Sequence, residues 1–412
     1  MSTPSTSAGP TRDDGAASPA PLKLAIVGCG VIGRLHAEVA AASPDLEVVA
    51  VVDPHPERAG EVAAVLTAAG EREPRSHGDL GEALAAGDVD VVAVCVPSGE
   101  HAEIAIQALE AGAHVVVEKP LDVALPPARR LREASAQRPG QVVAVISQHR
   151  HDYSSLAVHR ALEAGRFGRV TSAVANIDWY RTQEYYDSGD WRGTWALDGG
   201  GALMNQGVHT LDLLLWFLGE PIDVVAHTAR LGHERIEVED VAVAIIRFTS
   251  GALATLHAST TVYPDLGVRL HVHGTAGSAV IEGDDLAFFH ALDAEDGEWK
   301  ANQAHLEVSE AGTVASPRGS LDPSGSHASQ YGNSHATQWA DVVAAIREHR
   351  APWVTLDDGL RALATVRAVY LSATLGKPVR VTDVLDGVYD DVATRTGSSD
   401  PVPADQRTEV LR

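Results

Sequence analysis

Three polar side chains in the middle of the chain have the types and the spacing needed for proton transfer. Asn205 precedes His209 by four residues and Asp212 follows it by three, so a helix would place all three on one face. We predict such a helix from about residue 202 to 217. A polar stripe on an otherwise apolar helix is costly unless it lines a cavity or is internally paired.

A histidine on that stripe can take the proton of a hydroxyl group while a hydride leaves the same carbon, because imidazole titrates near neutral pH. The alternative is a satisfied core network in which Asp212 orients His209. Three glycines at 199–201 precede the helix and predict a flexible entry in which backbones approach closely.

The segment GCGVIG follows an apolar run and opens a helical pattern, which is the context that indicates a dinucleotide-binding turn. Gly28 permits the tight turn, Gly30 lets the backbone approach the pyrophosphate, and Gly33 lets helix and strand pack closely. The helix start, with Val31 and Ile32, offers amide donors to the phosphates. The alternative is a glycine turn that binds no nucleotide.

Asp53 ends the next predicted strand, roughly twenty residues after the glycines, where a dinucleotide site needs an acidic residue. A carboxylate there accepts hydrogen bonds from ribose hydroxyls and repels a 2′-phosphate. We therefore predict NAD rather than NADP as the cofactor.

Two further segments at strand ends are predicted to face the same crevice, because ligands bind at the carboxyl ends of parallel strands. In Glu118-Lys119-Pro120, proline fixes the backbone and lysine is expected where nicotinamide and substrate meet. We predict Lys119 and His209 as the catalytic residues. The residues predicted to contact the cofactor are Gly28, Gly30, Val31, Ile32, Gly33, Asp53, Pro97, Ser98, His101, Glu118 and Lys119.

The elements that must position these residues begin with Val-rich runs at 22–27, 48–52, 89–96, 115–117 and 142–146, separated by helical patterns. This alternation predicts an α/β domain, a Rossmann fold with a parallel sheet. After residue 147 a strand at 170–180 and successive strands between 224 and 282, joined by short turns, predict an α+β domain with a large open antiparallel sheet.

The predicted organisation is a disordered tail at 1–20, a Rossmann domain at 21–147, a substrate and oligomerisation domain at 148–385, and a polar tail at 386–412. Residues 309–334, rich in Ser, Gly, Pro and Asn, are expected to form an exposed loop or a lid. Since an open sheet leaves one face uncovered, we expect a homodimer or homotetramer.

The composition excludes several classes of function. A net charge of -24 repels phosphate backbones and anionic headgroups, so neither nucleic acid nor a membrane is an expected partner. The chain's two cysteines, Cys29 and Cys95, lie in runs that indicate burial, and no metal site is predicted. Without a signal-like start, the expected location is cytoplasmic.

Taken together, GCGVIG, the Glu118-Lys119-Pro120 triplet and GGGALMNQGVHTLD resemble the Gfo/Idh/MocA oxidoreductases, the relatives of glucose–fructose oxidoreductase and inositol dehydrogenase. The resemblance runs from about residue 22 to 380. It implies bound NAD or NADP and hydride transfer at a hydroxyl of a sugar or cyclitol. Many relatives carry aspartate where this chain has Asn205, which cannot accept a proton.

An aromatic and basic cluster between residues 179 and 195 is the expected substrate surface, with a packed lid or subunit contact as the alternative. Arg181 and Arg192 would hold an anionic group on a sugar or glycoside. The residues predicted to contact the substrate are Lys119, Arg181, Trp191, Arg192, Asn205 and His209.

Three functions remain open from the sequence. The first is a sugar or cyclitol dehydrogenase. The second is a glycoside-cleaving enzyme that uses NAD transiently to oxidise a ring hydroxyl, eliminate the aglycone, add water and re-reduce. The third is a non-catalytic dinucleotide-binding sensor, against which Lys119 and His209 argue because a sensor needs no proton shuttle.

Overall fold

The computed structural model describes residues 19–291 and 328–396, with the side chains of the second range described from residue 334. The first sheet consists of β1 (Leu22–Val27), β2 (Leu46–Val52), β3 (Arg75–His77), β4 (Val91–Val94), β5 (His114–Val117) and β6 (Val143–Val145). Their order is β3-β2-β1-β4-β5-β6, and every neighbouring pair is parallel. The predicted Rossmann sheet is confirmed.

Five helices connect these strands: α1 (Val31–Ala41), α2 (Pro56–Ala68), α3 (Leu80–Ala85), α4 (His101–Glu110) and α5 (Leu125–Ala136). The chain order reverses between β1 and β4, and a crevice for ligands opens at such a point. The sequence reading missed β3 and α3, because a three-residue strand and a six-residue helix are too short to show a hydrophobic period.

A second sheet consists of β7 (Val170–Asp178), β8 (Pro221–Ala229), β9 (Val241–Phe248), β10 (Leu253–Ser259), β11 (Gly267–Gly274), β12 (Gly277–Glu282), β13 (Asp285–Ala291) and β14 (Val379–Arg380). Its order is β13-β12-β11-β7-β10-β9-β8-β14. The predicted large open sheet is confirmed, with one exception to its antiparallel pairing. β7 lies between β10 and β11 and pairs in parallel with β10, so the sheet is mixed.

The remaining helices are α6 (Tyr153–Glu163), α7 (Gln183–Asp187), α8 (Val208–Leu218), α9 (Ala328–Glu348), α10 (Leu356–Leu375) and α11 (Val381–Leu385). The helix predicted from 202 to 217 needs correction at its start. Residues Ala202–Gly207 form a π-helical segment, and α-helical geometry begins only at Val208. The prediction that Asn205 shares one α-helical face with His209 and Asp212 therefore needs correction, because a π-turn contains more residues than an α-turn.

Helix α9 covers the first sheet although it follows the second sheet in the chain. Trp339, Val342 and Val343 belong to the same buried cluster as Leu24 and Ile26 of β1. Most of the predicted lid at 309–334 lies outside the described residues, and its last part, from residue 328, is helical. A long-range contact thus brings α9 to α1, the helix that follows β1.

The chain after α11 is packed as far as residue 396. Tyr389 and Val392 contact the main hydrophobic cluster, and Asp390 forms an ion pair with Arg129. The rest of the predicted tail at 386–412 lies outside the described residues. In the part of the chain that the structure covers, no helix is both long enough and apolar enough to cross a bilayer.

Candidate functional site

The glycine loop between β1 and α1 is built from three glycines with different roles. Gly28 has φ +94°, and a Cβ there would lie 2.5 Å from the carbonyl oxygen of Cys95. A Cβ at Gly33 would lie 1.9 Å from the carbonyl oxygen of Gly28. Around Gly30, by contrast, no atom lies within 4 Å of the Cβ position. Close packing therefore requires glycine at positions 28 and 33. Gly30 instead leaves the backbone of the loop open to a ligand.

The start of α1 is open and uncapped. Gly30 is the N-cap residue and no side chain accepts a hydrogen bond from the first-turn amides. Val31 is 89% exposed, an unusual position for an aliphatic side chain, while Ile32 packs partly against the core. Free amides and the positive end of the helix dipole suit a pyrophosphate, so these residues fit a dinucleotide.

Asp53 follows β2 and is 5% exposed. Its Oδ2 accepts a hydrogen bond from the backbone N–H of Cys29 at 2.9 Å, and its Oδ1 accepts one from that of His55 at 2.9 Å. The carboxylate therefore holds the glycine loop against the end of β2. Each carboxylate oxygen of Asp53 retains a second lone pair, so it can also accept a hydrogen bond from a ribose hydroxyl.

Two residues predicted to contact the cofactor have their polar atoms occupied by the protein. His101 lies with Nδ1 2.7 Å from the carbonyl oxygen of Pro120 and Nε2 2.9 Å from that of Val96. This imidazole joins the end of β4 to the loop after β5. Pro97 and Ser98 are half-buried at the end of β4 and stay predicted cofactor contacts.

The second such residue, Glu118, is buried in a network that crosses both domains. Trp339 donates its indole N–H to Nδ1 of His36 at 2.8 Å, so the ring proton of neutral His36 must be on Nε2. That Nε2 donates to Oε1 of Glu118 at 2.9 Å, while Oε2 accepts the backbone N–H of Lys119 at 3.0 Å. Burial alone would raise the pKa of Glu118, but hydrogen bonds from His335 and His36 hold it well below its usual range.

Lys119 follows directly on this fixed carboxylate, and its peptide bond to Pro120 is cis. Its Nζ donates to the backbone carbonyl of Asn205 at 3.4 Å. Burial lowers the pKa of Lys119, and the charge of Arg192 lowers it further, against the opposing effects of Glu118 and Asp198. Lys119 therefore gives up a proton more readily than an exposed lysine does.

His209 lines the same cavity as Lys119, together with Ser147, Val208 and Leu363. Burial holds the pKa of His209 well below its usual range, with further lowering by the charges of Lys119 and His149. The imidazole is therefore neutral at pH 7 and able to accept a proton. The structure brings the two predicted catalytic residues together.

The predicted alternative, in which Asp212 orients His209, is not what the structure shows. Asp212 receives two hydrogen bonds from Arg150, at 2.6 and 2.7 Å, and a third from the hydroxyl of Ser147. The neighbour of His209 is His149, whose ring meets it edge-on with the centroids 5.2 Å apart. Although burial lowers the pKa of His149, hydrogen bonds with Asp152 and Asp284 raise it to about 9.

The glycines at 199–201 are closely packed rather than a flexible entry. A Cβ would meet the side chain of Val123 at Gly199, the hydroxyl of Tyr370 at Gly200, and the carbonyl oxygen of Glu239 at Gly201. The buried carboxylate of Glu239 accepts the backbone N–H groups of Gly201 and Leu203, each at 2.9 Å. This anchoring fixes the π-helical segment that carries Asn205.

The predicted substrate surface forms one cluster. Arg192 lies over the rings of Tyr185 and Trp191, with its guanidinium carbon 4.3 and 4.4 Å from their centroids. Arg181 lies over Trp179 and donates to the side chain of Gln206 at 3.0 Å. Within the described residues neither arginine forms an ion pair with a carboxylate.

Two groups bring potential metal ligands within 4.8 Å of one another: His36, Glu118 and His335, and His149, Asp152 and Asp284. In both groups hydrogen bonds between imidazole and carboxylate account for the short distances, for example 2.7 Å between His149 Nδ1 and Asp152. We therefore derive no step from a metal ion at either place.

Sequence reasoning missed Asp198, His149, and the pair of His36 with Trp339. His149 follows the end of β6, so the rule that ligands bind at strand ends would have drawn attention to it. Asp198 directly precedes the three glycines but belongs to no recognised spacing. Trp339 had no sequence signal, because its partner His36 lies 303 residues away.

Comparison with known proteins follows the two-domain division. Residues 22–147 match the family model described as oxidoreductase family, NAD-binding Rossmann fold, and residues 155–280 match the GFO/IDH/MocA C-terminal domain. The chain is 29% identical to 1,5-anhydro-D-fructose reductase of Ensifer adhaerens, over 78% of this chain and 91% of the relative. It is 25% identical to inositol 2-dehydrogenase of Rhizobium meliloti, over 63% and 76%.

Among solved structures, the WlbA dehydrogenase of Bordetella pertussis, in complex with NADH and UDP-GlcNAcA, superimposes with a TM-score of 0.71. Its sequence is 30% identical, and the match covers 87% of this chain and 98% of that one. The similarity therefore extends over both sheets.

Proposed function

Because the chain belongs to the GFO/IDH/MocA family of oxidoreductases, we propose that it is an NAD-dependent dehydrogenase acting on a ring hydroxyl of a sugar, sugar derivative or cyclitol. The observation that carries this proposal is the proximity of Lys119 and His209, which line one cavity and of which the first lowers the pKa of the second by its charge. A proton acceptor and a hydrogen-bond donor beside a dinucleotide crevice are what oxidation of a hydroxyl requires.

The reaction removes a hydride from the carbinol carbon and a proton from its hydroxyl, leaving a ketone. When bound, the nicotinamide supplies the hydride acceptor. Neutral His209 takes the hydroxyl proton, and Lys119 hydrogen-bonds the same oxygen and stabilises its developing charge. In the reverse direction His209 returns the proton to the carbonyl oxygen, which Lys119 again holds by a hydrogen bond.

NAD is proposed over NADP because Asp53 lies at the end of β2, against the glycine loop. A carboxylate held at that place repels a 2′-phosphate and accepts hydrogen bonds from the free ribose hydroxyls. The uncapped amides at the start of α1 would hold the pyrophosphate in either cofactor, so discrimination falls to Asp53.

The substrate is proposed to carry an anionic group. Arg181 and Arg192 are cations without ion-pair partners among the described residues, in a chain whose net charge is -24. Trp191, half-buried beside Arg192, is proposed to stack its remaining ring face on the sugar ring. The WlbA relative, which contains UDP-GlcNAcA, supports a sugar acid as the type of substrate.

The two other functions that the sequence left open gain no support. None of the relatives described above is named as a glycoside-cleaving enzyme. A sensor has no use for a neutral histidine and a lysine with a lowered pKa in one cavity.

Assembly through the second sheet is also proposed. On its outer face Val225, Val243, Ile245 and Leu253 are 42–52% exposed. Val225 and Ile245 are cross-strand partners, so the apolar side chains form a continuous patch. A second copy of the chain would cover it in a homodimer or homotetramer.

The test incubates the protein with NAD and a panel of hexuronic acids, neutral hexoses and cyclitols while NADH absorbance is followed. Aryl glycosides in the same panel report aglycone release. NADH formation with at least one sugar or cyclitol is expected. Tight NAD binding without turnover of any compound in either direction would contradict the proposed activity.

A further inference from the structure

Asp198 lies at the entrance of the π-helical segment and is only 2% exposed. Its Oδ2 accepts the backbone N–H of Gly193 at 2.8 Å, and its Oδ1 accepts the side-chain N–H of Asn205 at 2.8 Å. An ionised carboxylate has acceptors only, so it forces the Nδ2 end of the Asn205 amide to face it.

The opposite end of this amide is then Oδ1. Among the described residues, no donor bonds to Oδ1 of Asn205, although the side chain is half-buried. The backbone carbonyl of the same residue accepts from Lys119 Nζ at 3.4 Å. Asn205 thus stands between Asp198 and the proposed catalytic lysine.

We propose that Asp198 is a positioning residue that locks the Asn205 amide with its oxygen available to a substrate hydroxyl beside Lys119. The carboxylate needed near the lysine is then provided by residue 198, in contact with residue 205. This inference rests on the proposed dehydrogenase function and assigns a role within it.

The lock depends on the charge of Asp198. Burial raises the pKa of Asp198 to about 6, against the hydrogen bond from Gly193, the charge of Arg192, the hydrogen bond from Asn205 and the charge of Lys119. Four titratable groups therefore surround the carboxyl group of Asp198. They are the two cations Arg192 and Lys119 and the phenols of Tyr185 and Tyr186 in α7.

When the carboxyl group of Asp198 is protonated, it can itself donate a hydrogen bond. The side-chain amide of Asn205 is then free to rotate so that its oxygen and nitrogen exchange places. The substrate hydroxyl then loses a fixed acceptor. We expect KM to rise as the pH falls through about 6.

The first experiment requires no substrate. The chain contains four asparagines, so selective ¹⁵N-asparagine labelling gives four side-chain amide pairs, and Asn205→Ala identifies the relevant one. In the wild type this signal should shift with a midpoint near pH 6. In Asp198→Asn, which has five side-chain amide pairs, the shift of the Asn205 pair should be absent. The proposed lock is overturned if the Asn205 amide signal of the wild type does not change with pH, or if it changes equally in wild type and Asp198→Asn.

The second experiment measures turnover. Asp198→Asn should lower kcat/KM by about 10-fold, the effect of losing one hydrogen bond to a charged group, mostly through KM. Asp190→Asn, an exposed carboxylate in the same loop, is the matched control and should change little. The swap of Asp198→Asn with Asn205→Asp keeps one carboxylate and one amide in contact and should recover most of the loss.

These outcomes separate the lock from the proposed function. If wild type oxidises no sugar or cyclitol, the function fails while the amide titration still decides the lock. If Asp198→Asn does not fold, the swapped variant replaces it, and failure of the swap to recover kcat/KM contradicts the proposal. Normal KM in folded Asp198→Asn contradicts it directly.

Discussion

Trp339 of α9 donates its indole N–H to His36 of α1 at 2.8 Å, and both side chains are 1% exposed. The bond fixes the tautomer of His36, which in turn donates to Glu118 beside the proposed catalytic lysine. A helix that follows the second sheet in sequence therefore helps to set the position of the residues at the end of β5.

Replacing this tryptophan tests the network. Trp339→Phe retains most of the apolar surface but leaves Nδ1 of His36 buried without a donor, which costs about 1–3 kcal/mol of unfolding free energy. Urea unfolding measures the loss, and kcat should fall because Glu118 loses its fixed partner. Trp353→Phe, at a 43% exposed site, is the control. Equal stability of both variants would refute the proposed network.

Removing either proposed catalytic side chain should slow turnover strongly. Lys119→Ala and His209→Ala should each reduce kcat by about 10²–10⁴-fold, the usual contribution of a positioned acid or base. NAD affinity should change much less, because the glycine loop would hold the phosphates. Lys377→Ala, on an exposed lysine, serves as control. Near-normal rates in both variants would show that the proton-transfer assignment is wrong.

The pH dependence of the wild-type rate follows from the pKa of His209. Because burial holds the pKa of His209 well below its usual range, the neutral base persists through neutral pH. The rate of hydroxyl oxidation should fall only in acid, as the pH drops through that lowered pKa. Measurements of kcat at saturating substrate against pH check this, because the expected change in KM with Asp198 does not enter, and His209→Ala should lack the acidic limb.

Cofactor preference should depend on the charge of Asp53. Wild type should bind NAD more tightly than NADP, and Asp53→Asn should narrow the difference because it removes the repulsion but keeps an acceptor for Cys29 N–H. Asp53→Ala should also weaken NAD binding, since the glycine loop loses that acceptor. Titration of both cofactors measures the ratio. Equal or tighter NADP binding by wild type would contradict the role given to Asp53.

An anionic substrate should depend on the arginine cluster. Arg192→Gln should raise KM for a hexuronic acid roughly 10-fold or more, as expected for a lost charged hydrogen bond, and affect a neutral hexose little. Arg235→Gln is a suitable control, because that arginine is exposed and paired with Asp187. If Arg192→Gln raises KM equally for the hexuronic acid and the neutral hexose, the arginine cluster does not recognise a negative charge.

Assembly should depend on the outer face of the second sheet. Val243→Thr with Ile245→Thr keeps β-branched residues in β9 but removes apolar surface from the patch. Light scattering should show a multimer for wild type at micromolar concentration and dissociation for the variant. Val388→Thr, at an exposed site after α11, is the control. A wild-type monomer would rule out this interface.

The sequence by itself predicted the parts of this protein whose signal is local. GCGVIG between an apolar run and a helix predicted the nucleotide turn, and the Val-rich runs predicted a parallel sheet because strands buried on both faces are continuously apolar. Lys119 and His209 were found because each stands at a recognisable point, a strand end or a polar stripe.

The tertiary structure decided what depends on contacts between distant residues. β7 was predicted as a strand, but its parallel pairing with β10 could not be, because hydrophobic alternation describes a strand's faces and not its neighbours. The π-helical segment is anchored by Glu239 and Tyr370, 36–166 residues away along the chain. Trp339 reaches His36, 303 residues away, only once the fold has brought their backbones together, because side-chain hydrogen bonds extend about 3 Å. Asp198 and Asn205 are close in the chain, but their contact leaves no periodic trace in the sequence because the π-helical segment departs from α-helical spacing.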